Sequence, residues 1–191
     1  MLTERLDLSP LRPEDLDDLY QIYSDPETWQ HLPSGRHTEP SRSLAMIESS
    51  ERDWQESGVG RWAIRLRSPE AKLPAGSFIG AGGLSPTVGG AWNLGYRLAP
   101  AAWGRGFATE FSLACLELAA QTGPEKPVTA RVLENNPASA TVLEKVGLKL
   151  LWAAKGVPEG VPEGPTTNLP RRIYADRVLD DGLLRALIGL G

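Results

Sequence analysis

The spacing of apolar and polar positions changes period repeatedly along the chain, and each change marks an expected element boundary. Thr3 to Arg12 alternates through Leu6, Leu8 and the Pro10-Leu11 pair, as a half-buried strand does. Pro13-Glu14-Asp15 then supplies a first-turn proline and two acids, and Leu16, Leu19, Tyr20 and Tyr23 follow at helical spacing. Asp25 to Gly35 reads as a loop with a short helical turn carrying Trp29 and His31. A second helix is expected from Pro40 to Trp54, closed by Gly58 and Gly60. Arg61–Leu66 and Ser77–Leu84 form an expected hairpin across a proline-rich loop, and Ala91–Leu98 is a further central strand. Pro100 to Gly106 turns sharply into a long helix with Phe107, Phe111, Cys115 and Leu118 on one face. Val128–Leu133, Asn136–Val146 and Leu148–Ala153 continue as strand, helix and strand, with Gly147 at the helix end. Arg171–Leu179 is expected to return as a last strand, and Leu183, Leu184, Leu187 and Ile188 to form a small terminal helix. Strands cluster early and alternate with helices late, which predicts an α/β protein built on a mixed sheet with helices on both faces.

Composition narrows the function classes. At 191 residues the chain is expected to form a single domain over 1–191, with the proline- and glycine-rich repeat at 156–165 as a flexible surface loop within 156–170. A formal charge of −4 provides no whole-chain basic field, so no nucleic-acid partner is expected. One cysteine, Cys115, cannot form an internal disulfide, and with only two histidines no metal site is expected. The N-terminal segment lacks a basic stretch followed by an apolar run, and no apolar stretch approaches the roughly 20 residues that span a bilayer. No membrane association is expected, and the predicted location is cytoplasmic.

The stretch from Trp92 to Glu110 carries the candidate chemistry: a strand, a bend in which Gly104 and Gly106 bracket Arg105, and a helix start. Glycines let successive N–H groups converge, and the helix adds its positive end, so the bend can cradle a phosphate or pyrophosphate. A plain connecting turn is the alternative. Two familiar phosphate signatures fail here. The dinucleotide pattern needs a glycine where Thr109 stands, and the Gly-Lys-Ser/Thr of a P-loop is absent.

The chain resembles the GNAT superfamily of acetyl-CoA-dependent N-acetyltransferases, in particular the RimJ/RimL type that acetylates ribosomal-protein N-termini. The resemblance rests on T3-E-R-L, E14-D-L, G95-Y-R-L-A-P-A-A-W-G-R-G-F-A-T-E110 and N136-P-A-S-A-T-V-L-E-K-V-G147, in that order. It implies a splayed, mostly antiparallel central sheet that receives acetyl-CoA as cosubstrate in a V-shaped gap. Backbone near Leu98 would pair with the pantetheine arm and offer an oxyanion donor. N–H groups between Trp103 and Ala108 would hold the pyrophosphate, giving Leu98, Trp103, Gly104, Arg105, Gly106, Phe107, Ala108, Thr109 and Asn136 as cofactor-binding residues. The family's first polar position in this bend is Ala101 here, which leaves Arg105 as the local charge.

Many family members place a thiolate-protonating tyrosine where this chain has Leu143. The polar substitute is Ser139, which together with Asn136 forms the expected catalytic pair. Helix capping by Asn136 is the structural alternative. Cys115 reads as core and Glu110 as a helix-start acid. Asn93 stands where some relatives carry glutamate, and it cannot act as a base. Asp25, Glu27, His31 and His37 lie in the loop that borders the acceptor site in the family, where exposed loop polarity is the plainer reading. Trp29 either packs or lines that site. The expected acceptor is a protein N-terminal α-amine; a small amine or aminoglycoside acceptor and a non-catalytic acyl-CoA-binding module are the alternatives. A homodimer is expected from the resemblance alone.

Overall fold

The computed structural model describes residues 1–70, 72–154 and 170–190. The repeat at 156–165 lies outside them. Seven strands form one sheet: β1 (Leu6–Pro10), β2 (Arg61–Leu66), β3 (Phe78–Pro86), β4 (Trp92–Leu98), β5 (Val128–Leu133), β6 (Lys149–Ala154) and β7 (Arg171–Ala175). Their spatial order is β1-β2-β3-β4-β5-β7-β6. All neighbours are antiparallel except β4 and β5.

The alternation seen in the sequence decides which residues each face buries. Trp62, Ile64 and Leu66 of β2 share a core with Phe107, Phe111 and Cys115 of α3 (Phe107–Thr122) and with Ala140 and Leu143 of α4 (Pro137–Lys145). Ala63 and Ala81 face the other way, onto Leu19, Ile22 and Tyr23 of α1 (Leu16–Ser24) and Ile47 of α2 (Pro40–Ser57). Helices therefore cover both faces, as the pattern predicts. At the far end, Ile173 and Ala175 pack with Leu187 of α5 (Asp181–Gly189), whereas Tyr174 between them belongs to the α3 side.

Several boundaries differ from the sequence reading by one to four residues, and two of them have a visible cause. Helix α2 continues past Trp54 to Ser57, and Gly58 follows it in the left-handed region at φ 68°. The last strand stops at Ala175 instead of Leu179. There the Asp176 carboxylate accepts the Val128 N–H at 3.0 Å, and Arg177 turns back onto Asp176 and the Pro124 carbonyl, so the chain leaves the ladder.

One irregularity creates the site. Strands β4 and β5 run parallel but pair only at Trp92 with Val128 and Asn93 with Thr129. Beyond that they diverge, because β4 stays with β3 as far as Leu98 while β5 stays with β7 as far as Leu133. The sheet opens into a wedge whose walls are two strand edges.

Candidate active site

Strand geometry fixes what the wedge offers. Ala99 N–H donates to Ile79 O on β3, at 2.9 Å. Successive backbone groups of a strand point to opposite sides, so the Leu98 and Tyr96 N–H groups face the open gap. The Leu98 carbonyl, on the same edge, accepts the Trp103 indole N–H at 2.9 Å, which ties the bend to the end of β4. A cavity of about 600 Å³ follows this edge from the bend to the loop after α1.

At one end of the cavity stands the glycine bend. Gly104 and Gly106 have φ of 71° and 82°, a region that costs an L residue about 1–2 kcal/mol, which explains the residue type at both positions. The first hydrogen bond of α3 runs from Glu110 N–H to Gly106 O, so the N–H groups of Phe107, Ala108 and Thr109 have no intrahelical acceptor. All three residues line the cavity. The helix positive end adds to their attraction for an anion.

Two arginines flank this bend. Arg105 turns its Nε–H back to the Ala101 carbonyl at 3.1 Å and does not line the cavity. Arg5 does not line it either, and Nη1 of its guanidinium is 3.4 Å from the Glu70 carboxylate. Its guanidinium lies 4.5 Å from the Phe107 ring centroid, donates to the Arg105 carbonyl at 3.0 Å and pairs with Glu110 at 2.7 Å. Glu110 is structural, as its helix-start position suggests. Burial pushes its carboxyl pKa up, but the Thr3 hydroxyl, the Arg5 N–H and the Arg5 guanidinium outweigh that and hold it below the usual value.

The middle of the gap carries hydroxyls. Ser139 Oγ and Tyr96 Oη are 3.4 Å apart and face each other across the wedge. Burial raises the Tyr96 pKa against a smaller opposing effect from Ser139, so the phenol keeps its proton at neutral pH. Asn136 caps α4 by accepting the Ser139 N–H at 3.3 Å, and its side chain also lines the cavity. Leu143 is 2% exposed, a core residue below them.

Past the hydroxyls, a smaller chamber of about 220 Å³ shares Tyr96, Arg97, Asn136, Ser139 and His31 with the larger one. Burial, and then the Arg97 charge, lower the His31 pKa, so this half-buried imidazole is neutral at pH 7. The other loop residues divide. Asp25 caps the Glu27 N–H, Glu27 lines the larger chamber, and His37 is buried against Ser43 Oγ at 2.8 Å. Burial first, then Arg42, Arg97 and Arg61, hold His37 down to about 4, so it packs as a neutral ring. Trp29 lines neither chamber; it is buried with its indole N–H on the Tyr23 carbonyl at 2.7 Å. Cys115 is fully buried, and burial pushes its thiol pKa well up.

The structure thus brings Leu98, Trp103, Gly104, Gly106, Phe107, Ala108, Thr109, Asn136 and Ser139 to one cavity and leaves only the Arg105 side chain out of it. Sequence reasoning missed Tyr96 and Arg97, which line both chambers. Among the described residues no helix is long and apolar enough to cross a membrane, and no three His, Cys, Asp or Glu side chains gather as metal ligands.

Comparison with known proteins gives this arrangement its class. A family model described as "Acetyltransferase (GNAT) domain" matches residues 5–149. The chain belongs to that family and is an N-acetyltransferase by class. It is similar to the uncharacterized N-acetyltransferase p20 of Bacillus licheniformis, 29% identical over 110 residues, which span 58% of this chain and 60% of that one. Among solved structures it is similar in fold to the RimL ribosomal L7/L12 α-N-protein acetyltransferase in complex with CoA. That match has a TM-score of 0.73 and 16% identity, and covers 94% of this chain and 97% of the other. An acetyltransferase from Agrobacterium tumefaciens matches at 0.69 and 24% identity, covering 93% and 94%.

Proposed function

We propose that the chain transfers the acetyl group of acetyl-CoA directly to a primary amine, and that this amine is a protein N-terminal α-amine. The observation that carries this reading is the continuous cavity between β4 and β5, with unpaired N–H groups at one end and neutral hydroxyls and an imidazole at the other. The 1–191 chain is read as one domain, since its seven strands share a single sheet.

Each residue follows from its place. N–H groups of Phe107, Ala108 and Thr109 hold the pyrophosphate at the positive end of α3. The bare β4 edge pairs with the amides of the pantetheine arm, where a free strand edge offers what a missing neighbour would. As the amine nitrogen attacks the thioester carbon, the Leu98 N–H receives the developing oxyanion. The carbon–sulfur bond then breaks, and Ser139 with Tyr96 behind it donates a hydrogen bond to the departing thiolate. His31, neutral at pH 7, takes the proton that the amine gives up. Cys115 is sealed in the core, so no residue on the cavity wall offers a thiol for an acyl-enzyme, which favours direct transfer.

A weak base suits an acceptor that is partly neutral already. At pH 7 an α-amine with pKa near 8 is on the order of a tenth neutral, and a lysine near 10.4 is below about 0.1%. The fold similarity to an α-N-protein acetyltransferase points the same way. CoA release measured at pH 7 with three acceptors tests this: a peptide with a free N-terminus and no lysine, the same peptide Nα-blocked with one lysine, and a polyamine. The free N-terminus should be acetylated on the order of 100-fold faster than lysine, from the difference in neutral fraction. Equal rates, or preference for the polyamine, would replace the N-terminal reading with the small-amine one.

A further inference from the structure

The acceptor end of the gap contains a cation that the acetyl-transfer steps above do not use. Arg97 lies between Tyr96 and Leu98 on β4, so the pleat sends its side chain to the α1–α2 face. There its guanidinium carbon sits 3.2 Å from the Trp29 ring centroid and 5.7 Å from that of Tyr23, and Nη1 donates to the Thr28 carbonyl. Burial lowers its pKa to about 10, which leaves it charged at neutral pH.

What Arg97 lacks is an acid. On the same face, Arg65 of β2 is paired with the Asp15 carboxylate. Among the described residues no carboxylate comes within ion-pair distance of Arg97, including Glu27, which lines the same cavity. Desolvated charges in proteins are ordinarily paired, because an uncompensated one is costly. The Thr28 bond leaves most of its five N–H donors without a protein partner among the described residues. The tryptophan covers one face of the guanidinium, so the open hydrogen bonds lie in its plane. A planar fork with a fixed edge is the geometry that grips a carboxylate through two parallel bonds.

We propose that Arg97 is an anion-recognition residue for the acceptor, so that the enzyme selects amines carrying a carboxylate within a few bonds of the nucleophilic nitrogen. The inference rests on the reading that the acceptor enters at the His31 and Arg97 end of the gap. A single guanidinium matches one negative charge, which suits a carboxylate better than a phosphate dianion. That carboxylate has two sources, the side chain of an acidic first residue in a peptide or the α-carboxylate of a free amino acid.

The test compares kcat/KM, expressed per neutral amine at the assay pH, within two matched pairs: an Asp-initiated against an Asn-initiated peptide, and a free amino acid against its amide. For the wild type, the acidic member of one pair should be preferred about ten- to hundredfold, the range of a hydrogen bond to a charged group, and which pair responds identifies the source. Arg97→Gln should bring that ratio close to one, and Arg97→Lys should retain part of it, with thermal unfolding reporting whether each variant is folded. The Thr28 bond and the Trp29 stack make Arg97 a strap for the 26–29 turn as well, and a purely structural role would lower the rates of both pair members alike. A wild-type ratio near one in both pairs, with ready turnover of the neutral members, overturns the proposal by itself. So does a preference that survives in folded Arg97→Gln. No turnover of any acceptor overturns the acetyl-transfer reading beneath it.

Discussion

Replacing Gly106 by tryptophan should weaken acetyl-CoA binding by at least about 100-fold, or about 2.8 kcal/mol, while Gly106→Ala stays close to wild type. The two variants separate backbone strain from bulk. Gly106 has φ of 82°, so any L residue there is strained whether or not the cofactor is bound. That strain lowers stability and largely cancels from affinity. A β-carbon would lie 3.4 Å from Arg5 Nη2, an ordinary contact, so alanine fits. An indole at this position would crowd the cavity wall that Gly106 shares with Phe107, Ala108 and Thr109. Calorimetry on folded protein measures the effect. Wild-type affinity in Gly106→Trp would remove the bend from the donor site.

Ser139→Ala should reduce kcat by about ten- to hundredfold, the range of a hydrogen bond to a charged group, with acetyl-CoA affinity nearly unchanged. The structure lets the catalytic and capping roles be told apart. Asn136 caps α4 through the backbone N–H of residue 139, which alanine keeps, so a residue that served only the cap would show no loss. Tyr96→Phe should also lower kcat, and by less if Ser139 is the group next to sulfur. The double variant should fall short of the product of the two single effects, because hydroxyls 3.4 Å apart act as a unit. Steady-state kinetics with saturating acceptor decides it, and an unchanged kcat in Ser139→Ala would leave the thiolate without the proposed partner.

How much of this was legible in the sequence depends on the distance over which each feature is encoded. The helices and strands are local, so period and capping residues located them, and the Gly104 to Thr109 bend was readable because left-handed turns and helix starts leave a residue-type signature. Glu110 was readable for the same reason. Tyr96 was not, because a tyrosine in an alternating strand reads as core, and its partner stands 43 positions away on another element. Arg5 sits in T3-E-R-L, which served as a landmark, yet its position depends on β1 reaching the start of α3, 105 positions on. Arg97 reads as one more polar strand residue. Nothing local shows that an aromatic pair will stack on it while no acid comes near. The end of β7 at Ala175 was hidden for a related reason, since Asp176 stops the strand by binding Val128, 48 positions earlier. Arg105 stands in the bend as sequence adjacency implies, with its Nε–H on the Ala101 carbonyl, and it does not line the cavity.

The most direct test of the central claim is a crystal structure of the protein with acetyl-CoA. The pantetheine arm should lie along the β4 edge, the pyrophosphate against Phe107 to Thr109, the thioester oxygen about 3 Å from the Leu98 N–H, and the sulfur within hydrogen-bond reach of Ser139. A cofactor bound elsewhere, or threaded through the gap with its sulfur remote from Leu98 and Ser139, would contradict it.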